Sequence, residues 1–168
     1  MIDRDGAATR FGGAIALCWA VVSIAASALY SPLALAVGGL GGLLFLFGLL
    51  TGSRRRLGGG AFGIFAAALF AGNLGAPTDA TLLGVIGAVL AWDAGGFSMG
   101  LSAQLGRDAP TGRVELVHVT ASAVVGAITI ALAYAAFSLG TGAGSISALL
   151  YLLLAAFVLL FAARIGSN

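Results

Sequence analysis

The 168-residue chain has no lysine, one histidine, one cysteine and three prolines, and charged residues make up only 8% of it. Each scarcity narrows the function. The single cysteine, Cys18, can form neither an intrachain disulfide nor a thiolate metal cluster, and within its apolar run it serves as a small apolar residue. The single histidine, His118, has no second copy with which to build a two-metal carboxylate site, although Glu115 and His118 stand in the Glu-x-x-His spacing that such sites use twice. No Gly-x-Ser-x-Gly motif accompanies it, so a serine hydrolase is not supported. Neither a Walker A loop nor a Gly-x-Gly-x-x-Gly turn after a strand is present, which leaves nucleotide binding without a motif. The sequence therefore predicts no cofactor, no metal and no catalytic residue.

The scarcity of charge says where the chain resides. With 60% hydrophobic residues and a mean hydropathy of +1.10, it has too few charged side chains to cover a soluble domain of this size. Apolar stretches of membrane-spanning length recur along nearly the whole sequence. The composition predicts an all-α integral membrane protein in contact with the lipid bilayer. Six segments can be cut, at residues 11 to 30, 33 to 51, 59 to 75, 80 to 103, 114 to 139 and 146 to 163. They form one transmembrane domain over residues 11 to 163, with tails at 1 to 10 and 164 to 168. "YSPL" at 30 to 33, "GAPTDA" at 75 to 80 with Asp79 as an N-cap, and "GTGAGS" at 140 to 145 punctuate the run.

All the basic charge is arginine. Six spans with a cytoplasmic N-terminus put Arg4, Arg10, Arg54, Arg55, Arg56, Arg107, Arg113 and Arg164 on the inner side and leave the outer connectors without a basic residue. That pattern predicts three hairpins with both termini in the cytoplasm of a multi-pass cell-membrane protein. The net charge of +2 is thereby a matter of topology and not of nucleic acid binding. An alternative reads residues 1 to 28 as a signal peptide ending in "ASA"; the turn at Pro32 into a second apolar run reads better as a hairpin.

Within this frame one residue is out of place. Asp93, in "AVLAWDAGGFSMG", stands near the middle of the fourth segment, where an acid costs roughly 2.5 to 3.5 kcal/mol unless it finds a polar partner. From Asp93, Gly96, Gly100 and Gln104 follow along one helix face, while the fifth segment carries Glu115, His118, Ser122 and Gly126 at similar spacing. If the stripes pack, Gln104 lies near Glu115, Gly100 near His118 and Asp93 near Gly126. Asp93, Gln104, Glu115 and His118 thus form a candidate polar seam. It serves either as a structural tie between helices or as a proton or ion path; the structural reading is the simpler.

Gly38 and Gly42, and again Gly96 and Gly100, have the four-residue spacing that allows close helix approach. Arg54, Arg55 and Arg56, together with Arg107 and Arg113, are candidates for contact with a partner or an anionic lipid headgroup. Trp92, beside Asp93, needs an acceptor for its indole N–H if buried.

Residues 90 to 122, "LAWDAGGFSMGLSAQLGRDAPTGRVELVHVTAS", resemble a family of small haloarchaeal membrane proteins catalogued as a domain of unknown function. The resemblance rests on Trp92-Asp93, Gln104 to Arg107, Asp108 to Thr111 and Glu115 to His118. It implies association with MoxR-type AAA+ ATPases and a role in assembling or servicing other proteins. It brings no activity, but it favours a protein partner, in the membrane or the cytoplasm, for the loop 104 to 118. The expectation is a non-catalytic multi-pass membrane subunit or scaffold, able to form a homo-oligomer. Its rival is a small proton- or ion-coupled transporter using Asp93 and His118.

Overall fold

A computed structural model describes residues 7–139. The chain divides into a unit of residues 1–130, which holds every candidate site residue described below, and a second unit of residues 131–168. Among the described residues the fold is entirely helical, with α1 at Arg10–Ala28, α2 at Pro32–Thr51, α3 at Arg54–Asn73, α4 at Thr78–Leu105 and α5 at Gly112–Leu139. The sixth expected segment, residues 146 to 163, lies outside the described residues.

Local chemistry sets the helix starts. Thr9, Ser31 and Ser53 each accept a hydrogen bond from the backbone N–H three residues on, at Gly12, Ala34 and Arg56. Pro32 stands in the first turn of α2, where its missing N–H costs nothing. α2 ends on Gly52, whose φ of 66° is a left-handed conformation that other residues adopt at a cost. Two boundaries correct the sequence reading. α3 starts at Arg54 and not near residue 59, because Ser53 caps a helix into which the three arginines fold as its first turn. α4 starts at Thr78, with Pro77 at the cap position; Asp79 is not the N-cap but an acid in the first turn, facing the positive end of the helix dipole.

Helices α1, α2, α4 and α5 are long and apolar enough to cross a membrane, with mean hydropathies of 1.9, 2.3, 1.5 and 1.8. α3, opened by three arginines, is not among them. At 28 residues α4 is about 42 Å long, which exceeds a hydrocarbon core of about 30 Å.

Consecutive helices run antiparallel, but the tightest packing is not the hairpin pairing expected from the sequence. α2 packs most extensively on α3, and α1 packs on α4. The reason is where glycine removes the side chain. A Cβ on Gly41 would come within 2.8 Å of Ile64 N and 2.9 Å of Gly60 O, and one on Gly60 would strike the backbone of Phe45. The α2 and α3 backbones are therefore in direct contact, as small residues allow in membrane bundles. Along α1 and α4 the same economy pairs Gly12 with Ser98, Ser23 with Gly87 and Ser27 with Gly84. The Ser23 hydroxyl also donates to Gly84 O at 2.5 Å. Phe45, Leu57, Ile64 and Phe65 fill the interior, and Gly95 of α4 packs against Phe45, Leu49 and Leu57.

The glycine pairs singled out by spacing do other work. Gly38 and Gly42 face Ile24 of α1, and Gly38 also meets Ala67. Gly96 is buried, and Gly100 faces the Arg54 guanidinium at 3.7 Å from its ideal Cβ position.

Candidate functional site: the α4–α5 polar seam

Among the described residues α5 is the least buried of the four long apolar helices, and a polar stripe of it faces the bundle. Thr111, Glu115, His118 and Ser122 recur at steps of four, three and four, so one stripe of the helix is hydrophilic in an otherwise apolar surface. Val117, Val124, Val125 and Ile128 lie exposed around it.

The deep part of the seam is built on Asp93. His118 Nε2 lies 2.8 Å from Asp93 Oδ2, and Ser122 Oγ donates to the same oxygen at 2.7 Å. One turn further along α4, Phe97 stacks on the imidazole, with ring centroids 3.8 Å apart and planes 10° from parallel. Both helices therefore offer an i, i+4 pair, Asp93 with Phe97 and His118 with Ser122, and the pairs interlock. The Asp93 and His118 side chains are about one-third exposed, at 31% and 29%. Trp92 is half-buried.

The shallow part is built on Glu115, which is 1% exposed and among the largest fully buried side chains of the described structure. Its Oε1 accepts from Thr9 Oγ1 at 2.5 Å and from Thr111 Oγ1 at 2.8 Å. The chain reaches this geometry because Thr9 already caps α1 and Thr111 precedes α5, so one carboxylate oxygen ties together two helix starts. Its Oε2, like Ser102 Oγ, is buried without a hydrogen-bond partner among the described residues. A Cβ on Gly12 would lie 2.9 Å from that Oε2 and 2.6 Å from Ser98 Cβ, so only glycine leaves room for the acid at this crossing of α1, α4 and α5.

The seam exists, but in a different register from the one drawn on sequence. Asp93 meets His118 and Ser122, not Gly126; Gly126 packs on Ile86; and Glu115 meets Thr9 and Thr111 beside Gly12, not Gln104. Gln104 is exposed and stands outside the seam, and Gly100 faces Arg54 instead of His118. The displacement of one to two turns comes from the connector. Gly106, at φ 87°, redirects the chain, bonds from Ala109 N to Gly106 O and from Thr111 N to Ala109 O tighten it, and α5 starts beside α4 instead of below it. Glu115 and His118 diverge onto different partners, so they do not converge as a metal-binding pair.

All described arginines lie toward one end of the bundle. Arg10 Nε pairs with Asp108 at 3.2 Å, Arg54 approaches Gly100, and Arg56 donates to Thr51 Oγ1 at 3.3 Å. Arg54, Arg55, Arg56 and Arg113 are exposed; Arg107 is half-buried, and its Nε is buried without a partner among the described residues. Sequence reasoning missed Thr9 and Phe97. Thr9 was the findable one, since a threonine before an apolar run is an N-cap signal.

Together these features define a helical bundle of membrane type with an interhelical polar seam and a basic end. More particularly, a family described as "Family of unknown function (DUF7519)" matches residues 7–160, and the chain belongs to that family. No curated protein and no solved structure is significantly similar to it.

Proposed function

We propose that the protein is a non-catalytic multi-pass membrane subunit in which the polar seam fastens α5 to a four-helix core and the basic end docks a partner. The observation that carries this reading is the closure of the seam on itself. His118 and Ser122 both bond to a single oxygen of Asp93, and Phe97 covers a face of the imidazole. Groups so committed to one another hold helices together.

Threading through six spans with both termini in the cytoplasm is part of the proposal; it requires α3, which is not apolar enough by composition to cross alone, to cross packed against α2 and α4. It is supported by the gathering of the described arginines at one end, which the positive-inside rule assigns to the cytoplasm. The connector divides accordingly. Thr111 and Glu115 turn inward, while Gln104, Pro110 and Arg113 stay exposed, where a protein partner can reach them. A MoxR-type ATPase system, implied by the resemblance over residues 90 to 122, is the partner class to test first, by capture from native membranes.

A second reading has one observation in its favour. The buried, half-partnered Glu115 lies one turn from His118 and hence from Asp93, which would suit a proton or ion path from the basic end toward the membrane centre. Asp93→Asn and Asp93→Leu separate the readings in proteoliposomes. A structural seam keeps the Asn variant assembled and weakens the Leu variant, with no proton flux in the wild type. Flux in the wild type that Asn abolishes, with assembly intact, would overturn the proposal.

A further inference from the structure

Between the start of α1 and the end of α2 lies a cavity of about 260 Å³. We infer that it is a binding site for one anionic phospholipid, with the phosphate at Arg10 and Arg107 and the upper acyl chain along Ala14, Leu17, Leu46 and Leu50. This rests on the membrane reading above and extends it to a specific ligand.

Three features point to that occupant. The first is the division of the walls. Arg10 opens α1 and Arg107 stands in the α4–α5 connector, so the cations lie at the end of the helices, whereas Leu17 is about two turns deeper along α1. A charged headgroup at the interface with its chain running inward has this polarity. The second is an unspent donor. Arg107 Nε is buried without a partner among the described residues, although the side chain lines the cavity. A guanidinium matches the oxygens of a phosphodiester, and its stem suits an apolar wall. The third is that the cavity is built and held. The bond from Ala8 N to Leu49 O at 3.0 Å pins the entering chain to the end of α2, and Asp108 holds Arg10 through Nε. A free phosphate would use the guanidinium groups but leave the aliphatic walls unused.

The test is native mass spectrometry of the full chain released from nanodiscs of mixed phosphatidylglycerol and phosphatidylcholine. Wild type should retain phosphatidylglycerol in preference to phosphatidylcholine. Arg107→Gln and Arg10→Gln should each lower that preference about fivefold. Ala14→Trp, and independently Leu50→Trp, keep every charge but fill the trough, and each should abolish the preference. Equal retention of the two lipids by wild type, or an unchanged preference in both tryptophan variants, would overturn the site and leave only diffuse surface charge. Displacement of the lipid by glycerol phosphate alone would reassign it to a soluble phosphate. Failure to enter nanodiscs of either composition would instead overturn the membrane reading itself.

Discussion

His118 Nε2 and Asp93 Oδ2 stand 2.8 Å apart, joining the middle of α4 to the second turn of α5. Ser122 shares that oxygen, and Phe97 shields the imidazole, so the most conspicuous acid in the sequence is half of an interhelical clasp. The clasp and Glu115 are therefore the places on α5 where substitution should be felt.

Thr9→Val removes the donor to Glu115 and the cap on Gly12 N together. It should lower the thermal stability of the detergent-solubilised protein by about 1–3 kcal/mol, and Thr9→Ser should restore most of it. A Val variant as stable as wild type would show that the hydroxyl does not matter.

Glu115→Gln retains an acceptor for the Thr9 and Thr111 hydroxyls, whereas Glu115→Leu leaves the buried Thr9 hydroxyl without its acceptor and Thr111 with only the long bond to Ala109 O. The free energy of unfolding should fall little for Gln and by about 1–3 kcal/mol for Leu. A Leu variant as stable as wild type would contradict a structural role for the carboxylate.

Gly41→Ala forces a methyl group into the α3 backbone and should destabilise the bundle by about 1–3 kcal/mol. Gly39→Ala, two residues away with nothing within 4 Å of the added carbon, should be neutral or stabilising by up to about 1 kcal/mol. Similar effects at the two sites in a melting experiment would show that α2 and α3 do not meet through Gly41.

In a Cys18→Ala background, Arg55→Cys and Asn73→Cys mark opposite ends of α3 at exposed positions. A membrane-impermeant maleimide applied to whole cells should label Asn73→Cys and spare Arg55→Cys. The reverse pattern would invert the proposed orientation.

How far the sequence reveals this site depends on the distance over which each residue acts. The all-helical class, the turns at Pro32 and near Pro77, and the pairing of Asp93 with α5 follow from composition and local spacing. The α4–α5 register does not, because the connector's length leaves open whether it hangs below the helices or folds back beside them; Gly106 and the Ala109 and Thr111 bonds decide this in three dimensions. Likewise, spacing nominated Gly38 and Gly42, but close approach depends on what faces a glycine. Gly41 and Gly60 meet backbone, whereas Gly42 meets only the end of Ile24. The bond from Thr9 to Glu115 spans 106 positions, and no local pattern announces it.

The central claim is that Asp93 and His118 act as a tie. Its most direct test is a double-mutant cycle on the thermal unfolding of Asp93→Leu, His118→Leu and the double variant in detergent. The account predicts a coupling of about 0.5–2 kcal/mol, in the range of polar contacts between transmembrane helices, with the double variant no less stable than the weaker single one. Strict additivity of the two substitutions would contradict it.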